Sequence, residues 1–80
     1  MTIRLQQSDL DNPTPAATAE LQALGELPDG YDCRFTIAAK NDAQGRWIYQ
    51  TLASGSAGGR LRAQIEIRLP AGVERVCFPT

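Results

Sequence analysis

The side chains of this 80-residue chain with the most to offer a partner are its arginines and its few aromatics. Arg46, Trp47 and Tyr49 fall close together, and Arg60, Arg62 and Arg68 share one side of an alternating run further on. Trp, Tyr and Arg concentrate binding energy at protein interfaces because they combine large contact area with directed polar groups. These six are the candidate partner-binding residues. A sheet carrying arginines and aromatics can also hold single-stranded nucleic acid by stacking and phosphate contact. That alternative is the weaker one. The net charge is −1, the pI is near 5.2, and neither strand carries an RNA-recognition signature.

Other chemistry is sparse. The chain has no histidine, which removes the commonest general base, the Ser-His and Cys-His nucleophile pairs and imidazole metal sites. Two cysteines cannot complete the usual four-ligand zinc site. Asp9 and Asp11 lie in a Pro-flanked loop, and Glu66 between Arg62 and Arg68 reads as charge pairing on a strand surface. Ser54 to Arg60 (SGSAGGR) could turn amides towards an anion. It lacks the Lys-Ser/Thr ending of a phosphate-binding loop and runs into a strand, so it reads as a plain connection. No catalytic residue, metal or cofactor is expected, and the chain reads as a non-enzyme.

Positioning these residues falls to a chain long enough for one small domain. Residues 1–42 hold seven acids against three cations, and residues 43–80 hold five cations against two acids. Such asymmetry between halves can mark a partner-facing surface. Seven of the eight cations are arginine, a choice that suits carboxylate contacts but also follows from a GC-rich genome. No apolar run is long enough to cross a bilayer, and the N-terminus shows no charged-then-apolar signal pattern. A cytoplasmic protein without membrane contact is expected.

The clearest element is Arg60–Leu69, whose odd positions are apolar and whose even positions are charged or polar. A period of two over ten residues predicts a strand with one dry and one wet face. Thr2–Gln7 and Tyr31–Lys40 alternate in the same way, and Val73–Phe78 supplies a last short strand. Thr14-Pro15 starts a helix that runs to Gly25, with Ala17, Leu21 and Leu24 at helical spacing. Asn41–Gly45 reads as a hairpin loop. Arg46–Ala53 reads as a strand with apolar groups on both faces, so its pattern does not choose a buried side. The predicted order is β-α-β-β-β-β: an α+β domain with a four- to five-stranded, mostly antiparallel sheet and one short helix on one face.

Cys33 falls on the apolar side of its strand. Cys77 lies between Val76 and Phe78, and is expected to point away from the face those two share. A Cys33–Cys77 disulfide, which needs both on one face of neighbouring strands, is therefore not expected. The function this supports is a small non-enzymatic protein-binding module, an accessory or inhibitor protein of phage or mobile-element type. It would act through an exposed sheet face on a protein partner or on a second copy of itself.

Overall fold

Alternating segments form the sheet, and three capped or short helices cover one side of it. The computed structural model describes residues 1–56 and 61–80. Their order is β1 (Thr2–Arg4), α1 (Gln7–Asp11), α2 (Pro15–Gly25), β2 (Tyr31–Ala39), α3 (Asp42–Ser54), β3 (Arg62–Ile67) and β4 (Gly72–Pro79). This is a small α+β fold with a four-stranded mixed sheet in the order β1-β4-β2-β3. β4 runs antiparallel to β1 and to β2, while β2 and β3 are parallel.

The core sits between β2 and the helices. Cys33, Phe35, Ile37 and Ala39 point to one side, where they meet Leu21 and Leu24 of α2, Ile48 and Leu52 of α3, and Val73 of β4. Ile37 occupies the centre of the sheet, paired with Ile65 on one side and Val73 on the other. Thr14 caps α2 by accepting a 3.1 Å hydrogen bond from the Ala17 amide, and Pro15 occupies the first turn. At the other end of α2, Arg75 of β4 donates to the Leu24 and Glu26 carbonyls, satisfying acceptors that a helix terminus leaves open. α2 and α3 meet backbone to backbone. A methyl group on Gly25 would overlap the Leu52 carbonyl, and one on Gly55 would overlap that of Gln22.

Three expectations are corrected. Arg46–Ala53 is the body of α3 and not a strand. The Asn41 side chain accepts a 2.8 Å hydrogen bond from the Gln44 amide, so what resembles a hairpin loop is a helix cap. From there Gln44, Ile48, Thr51 and Leu52 are buried, which is the i, i+4, i+7, i+8 stripe of an amphipathic helix. With α3 as the crossover, β2 and β3 pair parallel and the antiparallel meander is lost, since parallel neighbours need a connection of this kind.

The second correction concerns the cysteines. Cys33 and Cys77 are register partners joined by a disulfide with S–S 2.08 Å. Cys77 does point away from the face that Val76 and Phe78 share, but that face is the one turned from the helices, so Cys77 packs against the core on the same side as Cys33. The third correction is to the Arg60–Leu69 strand, whose ladder covers only Arg62–Ile67. Leu61 and Ile65 pack against the core as expected, but Ile67 and Leu69 are 58% and 62% exposed. α3 reaches this strand at Ile65, beside which Gly45 is seated.

Candidate functional site

The side of the sheet opposite the helices is built from the even-numbered residues of β2, β3 and β4. Alternation puts Asp32, Arg34, Thr36 and Ala38 of β2 there, and the register sets their neighbours. Arg34 lies between Arg62 of β3 and Val76 of β4, Asp32 lies beside Phe78, and Thr36 lies between Gln64 and Glu74. Phe78 is 49% exposed and Val76 42% exposed, although β-branched and aromatic side chains are those a sheet most readily buries.

Charge is arranged around these two apolar groups. The Arg34 guanidinium carbon stands 5.7 Å from the centre of the Phe78 ring, within cation–π range. The Asp32 carboxylate lies 3.8 Å from an Arg34 nitrogen and 3.7 Å from an Arg62 nitrogen. One carboxylate is thus shared by two exposed guanidiniums, at distances too long for good hydrogen bonds. Exposed pairs of this kind contribute at most about 1 kcal/mol, so both arginines can turn to a better-placed carboxylate at little cost. Between them an open depression of about 410 Å³ is lined by Arg34, Thr36, Arg62 and Gln64.

The six residues singled out by sequence do not come together. Arg62 lies on the open face. Arg68, just past β3, holds Glu66 with its Nε 2.7 Å from the carboxylate. Arg46, Trp47 and Tyr49 belong to α3, on the opposite side of the sheet. Arg46 is ion-paired with Asp42 one turn away. Trp47 and Tyr49 are half-buried against the core, and the Tyr49 hydroxyl donates to the Leu61 carbonyl at 3.3 Å. Arg60 and the Ala57–Gly59 part of the Gly/Ser connection lie outside the described residues.

The residues that sequence reasoning missed are Arg34, Val76 and Phe78. The signal for Arg34 was present in its polar position on the Tyr31–Lys40 strand. Val76 and Phe78 had no such signal, because an exposed apolar position looks like a buried one until a neighbouring strand fixes its direction.

Among the described residues, no group of three or more Cys, Asp or Glu could hold a metal ion, and no helix is long and apolar enough to cross a membrane. Compared with protein-family models, curated proteins and solved structures, the chain matches none.

Proposed function

We propose that the chain is a non-enzymatic protein-binding module whose docking surface is the open sheet face around Phe78, Val76, Arg34 and Arg62. The observation that supports this best is two exposed apolar side chains flanked by loosely paired arginines, on a sheet side that none of the helices among the described residues covers. Arginine and aromatic groups packed around an apolar centre are the composition of interface hot spots. The partner surface would offer an apolar side chain to Phe78 and Val76, and a carboxylate to replace Asp32 at Arg34 or Arg62. In that reading the chain acts by occupying a partner's surface, as accessory and inhibitor proteins of phage or mobile-element type do.

The test is co-purification from the native host with Phe78→Asp beside the wild type. A partner retained by the wild type and lost with the variant, at unchanged circular dichroism, supports the proposal. Equal retention by both proteins moves the interface elsewhere.

One observation favours a second reading. The Arg34 guanidinium stacked over Phe78 could receive a nucleobase. A salt-sensitive mobility shift with a single-stranded oligonucleotide, weakened by Arg34→Ala and Arg62→Ala, would establish it, and no binding at low salt would end it. On location, the disulfide is the relevant feature. Disulfides persist in oxidising compartments and are rare in the reducing cytoplasm, so it weighs against the cytoplasmic setting that the sequence alone suggests.

A further inference from the structure

We propose that β3 pairs with the β3 of a second copy of this chain, antiparallel across a two-fold axis at Gln64, joining two sheets edge to edge. β3 is the terminal strand of the sheet, so one row of its backbone groups lacks a ladder partner among the described residues. The direction of that row follows from the pairing with β2. Arg68 donates its amide to the Ala39 carbonyl, so even-numbered residues of β3 turn their backbone towards β2. The backbone groups of Ala63, Ile65 and Ile67 therefore point outward, ready to form an antiparallel ladder.

The occupant is identified by the sequence of the strand itself. Leu61-Arg62-Ala63-Gln64-Ile65-Glu66-Ile67 is complementary to its own reverse. With Gln64 facing the partner's Gln64, Arg62 stands opposite the partner's Glu66, and Glu66 opposite the partner's Arg62. On the helix side, Ala63 meets the partner's Ile65 and Leu61 meets the partner's Ile67. Each outward backbone group lies in a residue pair that can exchange both hydrogen bonds, as Ala63 does with the partner's Ile65.

Neighbouring registers lose the match between Arg62 and the partner's Glu66. A slip by one pair puts Arg62 against the partner's Arg68 in one direction and against the partner's Gln64 in the other, and a slip by two puts Glu66 against the partner's Glu66 or Arg62 against the partner's Arg62. Like charges directly opposite one another destabilise a strand pair. Natural edge strands usually carry charges that repel a second strand; here the charges fit one. The pairing also gives the 58% exposed Ile67 an apolar neighbour. The axis is perpendicular to the sheet, which keeps the two helix layers on the same side. Isologous contacts of this form are the commonest basis of dimers.

The test is sedimentation equilibrium over a range of protein concentrations, with charge variants of the full chain. Arg62 is exposed and Glu66 is only half-buried, with both side chains on the open face of β3, so the variants should keep the fold. Arg62→Glu sets Glu against the partner's Glu66, and Glu66→Arg sets Arg against the partner's Arg62. Each alone should weaken association by roughly tenfold to a hundredfold. Mixing the two variants in equal amounts creates two matched pairs and should restore the dimer, as should Arg62→Glu combined with Glu66→Arg in one chain. A wild type that stays monomeric throughout overturns the proposal. So does a dimer that neither single variant weakens, or a mixture that does not reassociate. Phe78→Asp should leave the dimer intact, so failure here is separable from failure of the face-docking reading.

Discussion

β2 presents two surfaces that follow different rules. Towards the helices, Cys33, Phe35, Ile37 and Ala39 are buried, and each is held by a neighbour on another element. Towards solvent, Arg34 leans over Phe78 and shares Asp32 with Arg62, contacts that are each weak and replaceable. The first surface determines whether the chain folds. The second can vary without unfolding it, which is the freedom a binding surface needs. The division follows from a period-two backbone with all its helices on one side.

The largest expected break in this comparison is Phe35→Ala. It removes a ring that is 2% exposed and should cost about 3–5 kcal/mol in urea unfolding. That is a large share of what an ordinary small domain has to lose. Replacing Cys33 and Cys77 together by alanine should cost about 2–4 kcal/mol, because the disulfide restrains the unfolded chain over a sequence separation of 44. The smallest effect belongs to the other surface. Val76→Thr should change stability by no more than about 0.5 kcal/mol, yet reduce partner capture in the co-purification assay. If Val76→Thr unfolds the domain, or Phe35→Ala leaves it intact, the two surfaces are not divided as described.

The same division explains what could be read in the sequence. β2 was legible because its large apolar residues face one way, and α2 because Thr14-Pro15 and Gly25 mark both of its ends. β1 and β4 were placed to within a few residues. α1, a single short helix of five residues, looks like the turn around it.

α3 was misread because Asn41–Gly45 is turn-like in composition, and because Trp47, Ile48, Tyr49 and Thr51 are residue types that favour strands. The helical signal was present in the Asn41 cap and in the Ile48–Leu52 spacing. Apolar groups on both faces of a supposed strand were themselves the warning. Gly45 added to the confusion, since it serves close packing against Ile65 and not a turn. Losing α3 also lost the parallel pairing of β3, and with it the identity of the free edge. The residues of the proposed docking face were half legible for a related reason. Arginines announce exposure, whereas Val76 and Phe78 could be assigned to a face only once their register with β2 was known.

The Cys33–Cys77 bond has a mechanical consequence. It closes a covalent ring that contains α3 and β3, and leaves β1, α1 and α2 outside on a single tether. Tension between the two ends would run from Met1 to Cys33, cross the sulfurs, and leave from Cys77 to Thr80. The central part of the chain carries none of that load. A molecule stretched between its termini would give up β1 and the first two helices while the ring around β3 stayed closed.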